Sequence, residues 1–173
     1  HVAAVRGRLG VRTIFNLLGP LSNPARVKRQ LLGVYARDWL EPMAEVLNAL
    51  GTERAWVVHG SDGLDEMTTT GVTYIAALDR GRVQLLDFDA IPRRAALADL
   101  KGGDAAHNAN AIRELLDGEH GPFRDIVVLN AAAALIVADR AQSIAEGVQV
   151  AEMSIDSGAA LARLERLIEV SNA

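Results

Sequence analysis

LLGVYARDWLEPMAEVLNALGTERAWVVHG, residues 31–60, carries two kinds of pattern in thirty residues. Leu31-Leu32-Gly33-Val34-Tyr35 is short and apolar with a β-branched and aromatic end, and it reads as a buried strand. Apolar residues at positions 39, 40, 43, 46, 47 and 50 then follow a helical period. Asp38 suits the N-cap of that helix. Pro42 falls in the first turn, where its missing N–H costs least, and Gly51 suits the position just past the end. Ala55-Trp56-Val57-Val58-His59 reads as a second buried strand. Strand, helix and strand on short connections make a βαβ unit, with parallel strands and a right-handed crossover. Trp39 and Trp56 fall on the core faces of this helix and strand.

Ligands of such sheets sit beyond the C-terminal ends of the strands. The segment leaving the second strand, Gly60-Ser61-Asp62-Gly63-Leu64-Asp65-Glu66, is the most polar glycine-punctuated loop of the chain. Adjacent carboxylates such as Asp65 and Glu66 can approach one hard cation from the same side, with Asp62 as a third oxygen source nearby. Magnesium prefers such a partial set, completed by waters and substrate phosphates. A glycine turn that starts a helix with an acidic first turn would use the same residues.

Downstream, residues 72–78 and 83–88 read as a hairpin around Asp79-Arg80-Gly81-Arg82. Residues 89–104 read as loop. Helices are expected at about 105–116, ended by Gly118, and at about 123–138, rich enough in alanine and aliphatics to be largely buried. Ser143 and Glu146 have the capping-box spacing for a third. Asp156 or Ser157 would cap a last helix with Leu161, Leu164, Leu167 and Ile168 on one face. Upstream, Val2–Leu9 suits the end of a helix closed by Gly10. Ile14–Leu18 then gives way to Gly19-Pro20-Leu21-Ser22-Asn23-Pro24, expected to be extended and rich in turns.

The 173 residues fit one domain or a large part of one, and half of them are apolar. A net charge of −4 leaves no basic footprint for nucleic acid. The absence of cysteine excludes disulfides and thiolate zinc sites and fits a reducing cytoplasm. The most apolar stretch, 126–138, is too short to span a bilayer. Histidines 1, 59, 107 and 120 share no metal-ligand spacing, and His59 suits either a satisfied core histidine or a site wall. Gly102-Gly103-Asp104 lacks the further glycines and the lysine of a phosphate loop; Asp104 suits a helix cap. Arg26, Lys28 and Arg29 read as surface charge, and Arg6, Arg8 and Arg12 as a solvated face or a carboxylate fork.

Arg6, followed by Arg12-Thr13-Ile14-Phe15-Asn16-Leu17-Leu18-Gly19-Pro20-Leu21-Ser22-Asn23-Pro24, resembles the signature of the anthranilate phosphoribosyltransferases, which usually carry threonine where Ser22 stands. His59–Glu66, Gly103-Asp104 with Asn108-Ala109, and Leu129–Leu135 are similar to that family too. The resemblance covers nearly the whole chain. It implies an α/β fold, part of the large domain of the nucleoside phosphorylase/phosphoribosyltransferase architecture, with a central sheet, a hairpin and flanking helices. It also implies transfer of a phosphoribosyl group from phosphoribosyl pyrophosphate to anthranilate, in tryptophan biosynthesis. By resemblance, Asp65 and Glu66 help hold Mg2+ with the diphosphate, Arg6 contacts the anthranilate carboxylate, and Gly19-Pro20 borders the aromatic ring. A homodimer and a cytoplasmic location are implied, with no partnership with nucleic acid or membrane.

Two further family segments, a Gly-Thr-Gly-Gly-Asp diphosphate loop and a Lys-His-Gly-Asn segment, are not in these residues. Residues 1–173 therefore read as the C-terminal part of the domain, expected to be inactive alone. The competing readings are a pyrimidine nucleoside phosphorylase-like enzyme, a non-catalytic nucleic-acid-binding relative and a plain α/β scaffold.

Overall fold

The computed structural model describes residues 15–89 and 95–173. The segment 31–60 folds as its pattern requires. Strand β1 is Arg29–Gly33, helix α2 is Leu40–Ala49 and strand β2 is Arg54–Gly60, with β1 and β2 parallel and Leu32 opposite Val57. Before them lies helix α1, Phe15–Leu21; after them come β3, Thr73–Asp79, and β4, Arg82–Phe88. The sheet runs β1-β2-β3-β4, with its last two pairings antiparallel. Arg80 and Gly81 both take positive φ (45° and 87°), the conformation that lets a two-residue turn follow the twist of the hairpin.

Alternation along the strands sends side chains to two cores. Ala55 and Val57 of β2, with Ala76 and Leu78 of β3, face Leu40, Met43, Ala44 and Leu47 of α2. Val58 and Ile75 face the opposite way, onto Leu129 and Ala133 of helix α4, Pro122–Val137. Helices α3 (Ala105–Leu116), α5 (Ile144–Asp156) and α6 (Ala159–Ser171) complete the all-helical end. There Leu115, Val128, Ala151 and Ile155 form a third cluster. The sequence-derived α/β fold and its βαβ-then-hairpin order are thus present.

Several local expectations change. Asp38 is not an N-cap: it sits within a 3-10 turn, Arg37–Trp39, and α2 starts without a side-chain cap. The buried face of α2 is rotated toward Ala44, which meets Ala55 and Ala76 in the same core. Small residues on both sides allow helix and sheet to approach closely, so Trp39, Val46 and Leu50 are left exposed. Trp56, by contrast, packs against the second core. Leu97–Leu100 forms a 3-10 turn inside the expected loop. Ser143 caps α5 as expected, but Glu146 reaches back to the N–H of Gln142 (2.7 Å), one residue before the cap.

The cap of α6 is Gly158, at φ 75°; Asp156 belongs to α5 and Ser157 closes it. No residue of α6 is buried, and Leu167 and Ile168 are exposed. Gly19 and Pro20 are helical rather than extended. The proline sits near the end of α1, where only one helical residue follows, and Gly19 has no Cβ to meet the proline ring. The turn comes later, with Ser22 N–H on Gly19 O (3.1 Å) and Arg26 at φ 49°. Leu17 anchors α1 in the first core. The expected helix at 2–9 lies outside the described residues.

Candidate active site

The loop of residues 61–72 leaves the C-terminal end of β2, beside the end of β1. Val34 N–H bonds Val58 O (2.9 Å), and His59 Nδ1 lies 2.9 Å from Val34 O. A carbonyl only accepts, so Nδ1 carries the proton, and His59 ties the two strand ends together. It is the satisfied histidine of the two readings.

No helix starts at Asp65-Glu66, so the acidic helix-turn reading fails. The loop is instead built around Asp62. Its Oδ1 accepts the Leu64 N–H (3.0 Å), and its Oδ2 accepts the hydroxyls of Thr68 (2.5 Å) and Thr70. The Thr68 hydroxyl also accepts the Thr70 N–H (3.0 Å), and the Thr73 hydroxyl accepts the Thr68 N–H (3.0 Å). Burial pushes the Asp62 pKa up, but the bonds from Thr68, Thr70 and the backbone outweigh it and hold it below the usual carboxylate range. Asp62 is thereby committed to the loop, and it is not a free third ligand.

Asp65 is exposed and Glu66 half-buried, and neither side chain hydrogen-bonds or ion-pairs with a described residue. Burial raises the Glu66 pKa first, and repulsion from Asp65 and Asp62 adds to the rise. A cation placed here would relieve that repulsion. Among the described residues no group of three or more histidine, cysteine or acidic side chains could enclose a metal. A pair of unspent carboxylates fits a hard ion that keeps waters and takes substrate oxygens; it does not fit zinc or a closed calcium cage.

Gly33 decides how close the loop can come. A Cβ there would overlap the carbonyl oxygen of Asp65 and lie 2.6 Å from its carbonyl carbon. The end of β1 is therefore packed directly under the backbone of the acidic pair. A glycine inside a strand signals a close backbone approach, though the sequence does not say to what. The run Thr68-Thr69-Thr70 is the other signal that sequence reasoning does not pick out: the hydroxyls of Thr68 and Thr70 hold the loop through Asp62, while the buried Thr69 hydroxyl has no partner among the described residues.

The other expected site residues fall elsewhere. Arg6 lies outside the described residues. Pro20 lines a cavity of ≈540 Å³ with Arg26, Lys28, Gln30 and Thr52, at the start of the strands rather than at their ends. A side chain at Gly19 would meet no described residue within 4 Å. No described cavity joins Pro20 to Asp65 or Glu66. A cavity of ≈440 Å³ opens between the 3-10 turn Leu97–Leu100, α3 and the start of α4; neither Asp65 nor Glu66 lines it, but a neighbouring cavity that shares Leu100 and Lys101 with it reaches Leu64. Gly103 there bonds the Asn108 side chain (2.8 Å), and Asp104 caps α3 by accepting the His107 N–H (2.8 Å), as its position suggested.

The architecture is a mixed α/β sheet with an open acidic loop at its strand ends. The chain belongs to the glycosyl transferase family, a/b domain, whose model matches residues 1–161. The curated anthranilate phosphoribosyltransferase of Methylocella silvestris is 58% identical over 175 residues, which are 99% of this chain and 50% of that protein. The crystal structure of anthranilate phosphoribosyltransferase from Thermus thermophilus superposes with a TM-score of 0.86 at 43% identity, covering 100% of this chain and 52% of that one. The Saccharomyces cerevisiae enzyme in complex with PRPP and Mg gives 0.84 at 31% identity, covering 100% and 51%. The chain thus spans about half the length of the relatives it matches. The family resemblance read from the sequence is borne out by these matches. Among the described residues no helix is long and apolar enough to cross a membrane.

Proposed function

We propose that this chain carries the metal-and-diphosphate side of a site that transfers a phosphoribosyl group from phosphoribosyl pyrophosphate to anthranilate, in tryptophan biosynthesis. The observation that carries the reading is the unspent Asp65–Glu66 pair at the strand ends, on a loop that spends Asp62 on its own shape. In the reaction the anthranilate amine nitrogen bonds to the anomeric carbon, the bond from that carbon to pyrophosphate breaks, and the amine releases a proton. Asp65 and Glu66 would hold Mg2+, which supplies positive charge against the departing pyrophosphate. Their own part is to orient oxygen donors that need no reorganisation as that charge develops. On family resemblance alone, Arg6 would take the anthranilate carboxylate through a bidentate fork and Gly19-Pro20 would border the ring; the cavity that Pro20 lines, at the start of the strands, does not support that second role. A homodimer and a cytoplasmic location belong to the same proposal, on family resemblance and on the cysteine-free composition.

The test uses this chain within a protein of the relatives' full length. Anthranilate fluorescence should fall only when phosphoribosyl pyrophosphate and Mg2+ are both present. Unchanged fluorescence with both present would overturn the reading.

A further inference from the structure

Between Ile126 and Ala138 the only polar side chain is Asn130, set in an otherwise aliphatic run of α4. Its amide is spent almost entirely on one residue of the acidic loop. Oδ1 accepts the Met67 N–H (2.9 Å), and Nδ2 donates to the Met67 carbonyl (2.8 Å). The second hydrogen of Nδ2 goes to the Ile126 carbonyl, one helical turn back (2.9 Å). Two carbonyls on one side and an N–H on the other allow a single orientation of the amide: reversed, it would set oxygen against oxygen.

Met67 follows Glu66 directly and is fully buried against Val58, Ile75, Leu129 and Ala133. The N–H that Asn130 grips belongs to the planar Glu66–Met67 peptide, so holding it fixes the direction in which the Glu66 backbone arrives. On the other side of the pair, Gly33 packs under the Asp65 carbonyl. Asp65 and Glu66 make no hydrogen bond to a described residue through their side chains, so these backbone holds are what aim them.

We infer that Asn130 is a positioning residue for the acidic pair: its amide clamp on Met67 sets how Asp65 and Glu66 present their carboxylates to a divalent cation carrying a diphosphate. The inference rests on the proposed function and adds a residue that touches neither metal nor substrate. A merely structural Asn130 would tie α4 to the sheet and affect stability alone.

The distinction is read in full-length protein with Mn2+ as the probe and pyrophosphate present, counting free Mn2+ by electron paramagnetic resonance. Asn130→Leu removes all three bonds. Asn130→Asp keeps the acceptor for the Met67 N–H but turns an oxygen toward two carbonyls. Val128→Ala, in the separate cluster with Leu115 and Ile155, is the stability control. Both Asn130 variants should weaken Mn2+ binding per folded molecule by about 10- to 100-fold and raise the Mg2+ concentration needed for turnover, the scale seen when residues supporting metal ligands are changed. Val128→Ala should lower Tm and leave Mn2+ affinity unchanged. Wild-type affinity in either Asn130 variant, or failure of both to fold, would overturn the inference, leaving Asn130 a stability residue. Wild-type protein that binds no Mn2+ with pyrophosphate would instead overturn the functional reading together with it.

Discussion

Asp62 and its neighbours Asp65 and Glu66 are chemically similar but differently placed, because hydroxyls and N–H groups of the described residues reach the Asp62 carboxylate and not the other two. The lowered Asp62 pKa fixes the sign of its pH dependence. Its folded value lies below its unfolded one, so the stability it contributes is present above the unfolded value of 3.8 and is lost as pH falls through the folded value. Asp62→Asn should therefore cost stability at neutral pH, and the gap to wild type should close as the solution is acidified below that range. Urea denaturation across a pH series reads this; a gap that stays constant would contradict it. Gly33→Ala meets backbone rather than a pliable side chain. It should destabilise by about 1–3 kcal/mol, as overpacking does, and displace the Asp65 carbonyl. Gly33 is visible in the sequence as a glycine in a strand. Its partner is not, because α2 and β2 must fold in between before Asp65 arrives over it.

At the scale of elements, competing terms decide the sign of a change. Gly147 lies inside α5, where alanine would gain about 1 kcal/mol of helix propensity. A Cβ there would meet the Cα, Cβ and carbonyl oxygen of Ala132 on α4, each at 2.9 Å. Since the Cα and the oxygen are backbone, the helices must separate. Gly147→Ala should lower stability by about 1–3 kcal/mol overall, measured as a shift in urea midpoint; a gain would show that the pair can slide apart freely. Asp104→Ala should cost about 1 kcal/mol by removing the cap of α3. Elements with one strong pattern were legible: both buried strands, the hairpin at Arg80-Gly81, and α3 and α4. The features placed differently depend on side-chain size and backbone conformation as well as on hydrophobicity. Ala44 took the core position that Trp39 was expected to share, because close helix–sheet packing selects small size. The chain reversal at Gly158 needs a positive φ, which neither Asp156 nor Ser157 supplies as readily.

For the molecule as a whole, the order of elements alone puts the acidic loop at the strand ends, since it leaves the C-terminal end of the second strand of a parallel βαβ unit. The long opening signature carried the family. What the sequence could not show was that Asp62 is consumed internally, or that Pro20 faces a cavity at the other end of the strands. Both depend on contacts between segments far apart in the chain. The central claim is that Asp65 and Glu66 hold a divalent cation with the diphosphate, and its most direct test is the Mg2+ dependence of anthranilate consumption in full-length protein carrying Asp65→Asn and Glu66→Gln. The account predicts that transfer falls by at least about 100-fold, since the transition-state charge loses its counter-ion. It also predicts that the Mg2+ needed for half-maximal rate rises sharply, while Tm does not fall: neither side chain bonds a described residue, and removing the charge relieves the burial and repulsion that raise the Glu66 pKa. Wild-type rates with an unchanged Mg2+ requirement would contradict it.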